Sequence, residues 1–408
     1  MRLLSPHPFW PIQDGLPTNY PPLTENVRCD VVVIGGGVSG ALAALHLVEA
    51  GLDVVLVDRR DVAHGSTAGS TSLLQYEIDE PLHRLAQRYG IRHAEACYRR
   101  CRDAIDAIGR LVARHGIDCG FERRSSLFLA SGKAHVPMLR REWAARRAAG
   151  FRVAWWDRAR IAAESSLPHP AGIMSADGAQ LDAYRLTYGL LGAAARRGAR
   201  IFDRSEVTAT HHGRTHMELR TPGGRIRARH LVCATGYEAD LQLPRPLTKL
   251  RSTFALITEP AAEHPGWPAR DCLIWETADP YVYLRTTPDG RIIIGGYDEE
   301  FRDAARRDRV LAAKTGYLER RLRQLLPRLR APTAYSWAGT FARTDDGLPF
   351  IGRHPHRPRT WLALGYGGNG ITFSLIAAEL IRDGIVGRDG PDEAIFAFAR
   401  TSAMKTAS

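Results

Sequence analysis

The segment from Asp30 to Asp58 constrains the fold more than any other part of the chain. Asp30 to Ile34 is a continuous apolar run typical of a buried parallel strand, and Ala41 to Ala50 has helical character. Val54 to Val57 is a second apolar run, and it stops at Asp58. A strand, a helix and a second strand in this order predict a βαβ unit within a doubly wound parallel sheet.

The turn inside this unit matches the pattern G-x-G-x-x-G at Gly35, Gly37 and Gly40. The first glycine makes the turn, the second lets the backbone approach a pyrophosphate, and the third lets the helix pack closely on the strand. Asp58, eighteen residues after Gly40, is placed to accept hydrogen bonds from a ribose diol. An acid at this position disfavours a 2′-phosphate and so favours FAD or NAD over NADP, although the basic Arg59 follows directly. The alternative interpretation of the whole pattern is a glycine-rich turn that binds no nucleotide. The residues predicted to bind at this end are Gly35, Gly37, Val38, Ser39, Gly40, Asp58 and Arg59.

Two further segments favour FAD. Gly65 to Ser72, shortly after Asp58, carries small and hydroxyl side chains. This composition suits a loop that packs against phosphates or a flat ring; the alternative is an ordinary flexible loop. Gly365-Tyr-Gly-Gly-Asn-Gly370 matches the glycine pattern again, yet no second strand and acid follow it. We interpret this turn as directing the N-terminus of a helix beginning near Ile371 at the electron-rich N1 and C2 carbonyl of a flavin; the alternative is a close-packed turn.

Composition excludes several classes of function. The net charge is +12, but 52 of the 56 basic residues are Arg, spread along the chain without a zinc-finger or basic-zipper pattern, so nucleic-acid binding is not expected. The longest apolar run is broken by glycines, which argues against a membrane span. Six scattered cysteines without a CxxC pair predict no metal site, no disulfide framework and a reducing cytoplasm.

The order of the patterns predicts an α/β protein with two interleaved domains. Residues 1–28 are interpreted as an N-terminal arm extended on the surface. Residues 29–125, 176–250 and 334–395 are assigned to a discontinuous, Rossmann-like FAD-binding domain. Residues 126–175 and 251–333 are assigned to a substrate-binding domain of α+β type, because antiparallel strands are predicted at Thr253 to Thr258, Tyr281 to Arg285 and Arg291 to Gly296.

Taken as an ordered set, these motifs resemble the D-amino acid oxidase family of flavoenzymes, which includes glycine, sarcosine and γ-glutamylputrescine oxidases. The resemblance covers nearly the whole chain, and the Tyr20-Pro-Pro-Leu-Thr24 arm is most similar to the γ-glutamylputrescine oxidase branch. The segments that carry it are Asp30 to Asp58, Gly65-Ser-Thr, Asp177-Gly-Ala-Gln-Leu-Asp182, Ala234-Thr-Gly-Tyr237, Asp346-Gly-Leu-Pro-Phe-Ile-Gly352 and Gly365 to Gly370.

The resemblance implies FAD as the cofactor and oxidation of a C–N bond. An amine would pass a hydride from its α-carbon to flavin N5, and the imine would then hydrolyse. Such chemistry needs orientation and a dry pocket more than a catalytic triad. The remaining predicted cofactor residues are Ser66, Thr67, Ala68, Val207, Ala234, Thr235, Gly236, Gly367, Gly368, Asn369, Gly370, Ile371 and Thr372.

Departures from the family pattern narrow the range of expected substrates. Amino-acid oxidases of this family hold the substrate carboxylate with an arginine where this chain has Phe341, and sarcosine oxidases use an arginine and a lysine at positions that match Gln75 and Thr372. Their loss favours an amine without an α-carboxylate, of γ-glutamylputrescine type. Arg343 or Arg285 could replace the clamp, which keeps a glycine, sarcosine or D-amino acid oxidase open as the alternative.

The predicted substrate pocket is built from few residues. Tyr281, Tyr283 and Trp275 form either an aromatic wall for a cationic amine or plain core. The residues expected to contact the substrate are Gln75, Tyr76, Tyr283, Phe341 and Arg343.

Two more departures concern the flavin. No cysteine lies near Gly339, where covalent members attach it, so FAD is expected to be non-covalent. The lysine that promotes reaction with oxygen is replaced within Ile292-Ile-Ile294, so the electron acceptor could be O2 or another carrier. Oligomeric state stays open, and a non-catalytic flavin-binding subunit is the alternative from another class.

Overall fold

A computed structural model describes residues 3–243, 246–268, 271–301, 303–388, 390 and 392–400. Within these residues the strands are β1 (Leu4–Ser5), β2 (Val27–Ile34), β3 (Val54–Val57), β4 (Leu73–Leu74), β5 (Glu122–Leu129), β6 (Val153–Asp157), β7 (Ala171–Gln180), β8 (Arg200–Phe202), β9 (Ala209–His212), β10 (Met217–Thr221), β11 (Gly224–Cys233), β12 (Lys249–Thr258), β13 (Leu273–Glu276), β14 (Val282–Thr286), β15 (Ile292–Glu299), β16 (Thr333–Arg343), β17 (Phe350–His354) and β18 (Arg357–Leu364). The α-helices are α1 (Phe9–Asp14), α2 (Val38–Glu49), α3 (Leu82–Tyr89), α4 (Ile91–His115), α5 (Val136–Ala148), α6 (Arg158–Glu164), α7 (Ala183–Arg196), α8 (Ala304–Leu325), α9 (Gly370–Val386) and α10 (Glu393–Phe396).

The smaller sheet has the predicted doubly wound order, β17-β18-β11-β2-β3-β8. Strands β18, β11, β2, β3 and β8 are parallel to one another, and β17 is antiparallel at the edge. The central strand β2 is buried on both faces: Val31 and Val33 belong to one core cluster, and Val32 to another on the opposite side. Strand order reverses at β2, so the carboxyl ends of β2 and β11 flank the crevice where such sheets bind ligands.

The larger sheet follows the order β1-β16-β12-β15-β14-β13-β5-β7-β4, with β6 paired to β7. All its pairs are antiparallel except β13 with β5. The predicted strands of the substrate region therefore form as expected. Strand β16 pairs with β12 along its length, although residues 334–395 were assigned to the cofactor domain by the sequence.

The N-terminal segment is more than the extended surface arm that the sequence predicts. Strand β1 pairs with β16 at the edge of the larger sheet, and α1 follows it. Phe9 and Trp10 are buried in the core, and Trp10 donates a hydrogen bond to the Ser70 carbonyl. These two aromatic residues attach the segment to the fold.

Two local features shape the chain around the sheets. Helices α3 and α4 are separate because Gly90 between them has a φ of +84°, which a helix interior does not accommodate. Between β8 and β9, residues 205–208 form a loop that lines the cavity described below. None of the helices in the described part of the chain has the length and apolar character to cross a membrane.

Candidate cofactor and substrate site

A cavity of about 1100 Å³ lies at the carboxyl ends of the parallel strands, and both glycine turns line it. Gly35 follows β2, Ala234 follows β11 and Gly365 follows β18, so the parallel topology brings three distant segments to one edge. The starts of α2 and α9 are joined directly, because the hydroxyl oxygens of Ser39 and Ser374 lie 2.7 Å apart. Both helices therefore begin at the same cavity.

The first turn is shaped for close backbone approach. Gly35 has φ +109°, and a Cβ there would collide with the Ala234 carbonyl. A Cβ on Gly40 would collide with the Gly35 carbonyl, so this glycine serves helix packing and does not line the cavity. A Cβ on Gly37 would lie 3.0 Å from the Thr67 hydroxyl oxygen, which itself accepts a hydrogen bond from the Val38 N–H over 3.0 Å.

The acid after β3 is held in place by the chain. The Asp58 carboxylate accepts hydrogen bonds from the N–H groups of Gly36 (2.7 Å) and Arg60 (2.8 Å). Burial raises the pKa of Asp58 despite these two donors. Arg59 forms an ion pair with Glu238 at 2.9 Å, which holds its guanidinium beside the cavity.

The residues present fit a dinucleotide. The hydroxyl oxygens of Ser66 and Thr235 are buried, line the cavity and have no hydrogen-bond partner within the described residues. Buried hydroxyl groups without a partner are costly, and ribose or phosphate oxygens would satisfy them. With the glycine cradle and Asp58, these groups suit a bound FAD.

The second turn is built differently from the first. Gly365 and Gly367 have φ values of +78° and +57°. The Asn369 side chain donates to the carbonyls of Gln75 (2.9 Å) and Glu77 (2.8 Å), which ties this turn to the segment after β4. No side chain caps the first turn of α9, so its N–H groups remain available at the cavity.

Most of the predicted cofactor residues meet here. Those that line the cavity are Gly35, Gly37, Val38, Ser39, Asp58, Arg59, Ser66, Thr67, Val207, Ala234, Thr235, Gly236, Gly367, Gly368, Asn369, Gly370 and Ile371. Gly40, Ala68 and Thr372 do not; Ala68 and Thr372 are each 1% exposed and pack in the interior beside the lining residues. These three residues therefore pack beneath the cavity lining and do not face the cavity itself.

Among the predicted substrate residues, Gln75, Tyr283, Phe341 and Arg343 line the cavity. The prediction for Tyr76 is wrong: its ring is buried, stacks on Phe151 at 4.8 Å, and its hydroxyl lies 3.0 Å from that of Ser175. Alternation along the extended segment turns Gln75 toward the cavity and Tyr76 into the core.

Neither arginine considered as a carboxylate clamp is free to act as one. Arg343 lies at the cavity, but its Nε is 3.5 Å from a carboxylate oxygen of Asp79. Arg285 is buried away from the cavity, donating to the carbonyls of Thr71 (2.6 Å) and Leu181 (3.1 Å). The suggestion that Arg285 could replace the clamp is therefore wrong.

Asp79 and Asp298 are among the cavity carboxylates that the sequence did not predict. Asp79 accepts a hydrogen bond from the Gly368 N–H at 3.3 Å, beside the second turn. Asp298 stands near the end of β15, and its Oδ1 is buried without a partner within the described chain. The available signal for Asp298 was an acid two residues beyond the end of the strand predicted over Arg291 to Gly296.

A buried ionic cluster forms the wall behind Gln75. Arg146 contacts Glu142 (2.6 Å) and Glu77 (3.2 Å), and all three side chains are inaccessible to solvent. Burial alone would raise the pKa of Glu142, but Arg146 and His83 lower it to about 2. The cluster holds the segment that carries Gln75 against the larger sheet.

The parallel sheet, the glycine turn, the acid after β3 and the adjoining antiparallel sheet define a dinucleotide-binding flavoprotein. Residues 30–383 match the sequence profile of the DAO family, described as FAD dependent oxidoreductase. The chain belongs to this family, and it is an FAD-dependent oxidoreductase that acts on C–N bonds of amines or amino acids.

Individual relatives are distant. A putative Rieske 2Fe-2S iron-sulfur protein of Bacillus subtilis (strain 168) is 25% identical over 97% of this chain and 76% of that protein. The γ-glutamylputrescine oxidoreductase of Escherichia coli (strain K12) is 26% identical over 88% of this chain and 84% of its own length. The crystal structure of glycine oxidase from Geobacillus kaustophilus superposes with a TM-score of 0.76 at 23% identity, covering 92% of this chain and 99% of that one.

Proposed function

We propose that this protein oxidises an amine that lacks an α-carboxylate, of γ-glutamylputrescine type, with FAD held non-covalently across both glycine turns. The observation that carries the proposal is the Asp79–Arg343 contact at 3.5 Å. An arginine engaged by an acid is a poor receptor for a substrate carboxylate, because binding would require breaking an existing charge pair. Phe341, at the family's usual arginine position, adds an apolar surface instead.

The proposed reaction requires the protein mainly to position the substrate against the cofactor. When bound, FAD supplies the hydride acceptor. Gln75, Phe341 and Tyr283 would then position the carbon–nitrogen bond, and the aromatic surface would exclude water from the reacting carbon. The imine product hydrolyses after release.

Aromatic side chains favour a cationic substrate. The rings of Tyr281 and Tyr283 are 5.9 Å apart on the cavity wall, and both phenols are neutral because burial raises their pKa values, that of Tyr283 to about 12. Faces of neutral aromatic rings attract ammonium groups. This wall supports an amine more than an anionic substrate.

Non-covalent binding is supported by the cysteines. The cysteine that lines the cavity is Cys233, at the end of β11, and burial raises the pKa of its thiol to about 12. A neutral thiol is a poor nucleophile toward a flavin. Acid precipitation should therefore release all the flavin into the supernatant; flavin that stays with the protein pellet would contradict this part of the proposal.

The experiment that tests the function is anaerobic reduction of the purified holoprotein. We expect γ-glutamylputrescine, putrescine or related amines to bleach the flavin in a stopped-flow spectrometer, and glycine, sarcosine and D-alanine to do so at least about tenfold more slowly. Bleaching by the amino acids but not by the amines would favour the second candidate, an amino-acid oxidase, whose support is that Arg343 reaches the cavity. A flavin that neither class reduces would indicate a non-catalytic flavoprotein subunit.

A further inference from the structure

Asp298 is a buried carboxylate of the cavity that forms no ion pair with the described part of the chain. It lies near the end of β15 and lines the cavity with Thr253, Tyr281 and Tyr283. Its Oδ1 is buried without a hydrogen-bond partner within the described residues, and none of their cations pairs with it. A buried carboxylate oxygen without a hydrogen-bond donor lowers the stability of the fold, so a ligand or a water molecule is expected to donate to it.

The cations that could neutralise Asp298 are already engaged. Arg343, on β16, contacts Asp79, and Arg251, on β12, forms an ion pair with Glu300. Asp79 adds a second negative charge close to Asp298. Two carboxylates, Asp79 and Asp298, thus share one lining arginine, Arg343, and one negative charge remains without a partner among the described residues.

The surroundings of Asp298 match an alkylammonium group. Burial and Asp79 raise the pKa of Asp298 to about 6, with the hydrogen bond from Thr253 and the charges of Arg251 and Arg343 opposing them. The carboxyl group is thus mostly ionised at neutral pH. The Tyr281 hydroxyl lies within reach of Gly368, since a Cβ on that glycine would be 3.8 Å from it. The aromatic wall therefore reaches the second glycine turn, and the charge of Asp298 acts on the same tyrosine.

Resting on the proposed function, we propose that Asp298 is the receptor for the ammonium group of the substrate, and that it selects primary or secondary alkylamines over zwitterionic amino acids. An ammonium group placed there would donate a charge-assisted hydrogen bond to the Asp298 carboxylate and would face the Tyr281 and Tyr283 rings. Before the hydride leaves carbon, the nitrogen would give up one proton to this carboxylate, so that the neutral amine is the species oxidised. An α-carboxylate on the same carbon would be brought toward two acids and be repelled.

The test uses an amine that binds but cannot react. In tert-butylamine the carbon bearing the nitrogen has no hydrogen, so no hydride can leave. We expect titration of the holoprotein at pH 8 to perturb the flavin spectrum and to give a dissociation constant that Asp298→Asn raises at least about tenfold. Wild-type affinity should fall as the pH drops below about 6, and the variant should show no such dependence.

Glu299→Gln is the matched control, since Glu299 neighbours Asp298 on β15 but pairs with Lys314 at 2.7 Å outside the cavity. It should bind the amine like the wild type, and all three proteins should retain equal FAD. Unchanged affinity in Asp298→Asn would overturn the proposal. A dependence on pH that survives in that variant would assign the titration to Asp79 and overturn it too.

The outcomes separate this inference from the proposed function. If amines bleach the flavin and Asp298→Asn binds tert-butylamine as tightly as the wild type, this inference alone fails. If glycine bleaches the flavin and amines neither bleach it nor bind, the proposed function fails as well.

Discussion

At the scale of single residues, the proposed choice of substrate rests on which charged side chains of the cavity are already paired. Asp79 holds Arg343, while the neighbouring Asp298 has no cation paired to it within the described residues. Under the proposed function the two acids have opposite effects: Asp79 would remove a receptor for carboxylates, and Asp298 would provide a receptor for ammonium groups. In this proposal both acids act by attracting or pairing charged groups, and neither takes part in the hydride transfer itself.

Replacing the first of these acids should change selectivity. In Asp79→Asn the guanidinium of Arg343 loses its partner and becomes available to a substrate carboxylate. We expect kcat/KM for glycine or sarcosine to rise about tenfold relative to that for an amine, as measured by steady-state kinetics. Asp79→Glu, which keeps the charge, should retain the wild-type preference; an equal shift in both variants would show that Arg343 is not the clamp.

The first glycine turn gives a second prediction. Gly37→Val places a branched side chain against the Thr67 hydroxyl, where the pyrophosphate is expected. FAD should bind at least about tenfold more weakly, so the purified protein should be pale. Gly132→Val is the control, because a Cβ there meets nothing within 4 Å and φ is extended at −167°. Wild-type colour in Gly37→Val would contradict the placement of the phosphates.

Residue patterns predict the cofactor site better than the substrate site. Gly35, Asp58 and the second glycine turn follow strands directly, and local order is enough to place them. Tyr76 and Arg285 were misjudged because their burial depends on contacts with Phe151 and with the Thr71 carbonyl, which only the tertiary fold brings close. Asp79 and Asp298 meet for the same reason, more than two hundred residues apart in sequence.

At the scale of elements, the cavity depends on segments that hold one another. Asn369 joins the turn before α9 to the segment after β4, and Ser39 with Ser374 joins the starts of α2 and α9. The βαβ unit was predictable from hydrophobic periodicity. The pairing of β16 with β12 and the docking of α1 were not, because periodicity does not specify which element packs on which.

The buried cluster on α5 is the element-scale test. Arg146→Met leaves Glu142 and Glu77 without their shared cation, and we expect the free energy of unfolding to fall by about 3–5 kcal/mol. Arg147→Met, one residue along the same helix and exposed, should change it by less than about 0.5 kcal/mol. Urea unfolding at pH 7 measures both; equal losses would show that the cluster contributes nothing specific.

The same cluster predicts how stability depends on pH. The folded pKa of Glu142, about 2, lies below its ordinary value of 4.5. Its stabilising contribution is therefore present above about pH 4.5 and is lost as the pH falls toward 2. Arg146→Met should flatten this part of the stability curve, and an unchanged curve would place the titration elsewhere.

At the scale of the whole molecule, two sheets meet along one cavity. The parallel sheet supplies the glycine turns and Asp58, while the antiparallel sheet supplies Tyr283 and Asp298. Under the proposed function, cofactor binding and substrate choice are therefore carried mainly by different sheets. We expect substitutions in the antiparallel sheet to change the substrate with little effect on FAD binding.

A crystal structure of the flavin-bound protein tests most directly whether one FAD molecule spans both turns. We predict the pyrophosphate at Gly35 to Gly40, the ribose diol at Asp58, and the isoalloxazine ring between the N-terminus of α9 and the antiparallel sheet. Electron density that places the ring away from Gly367 to Ile371, or the phosphates away from α2, would contradict it.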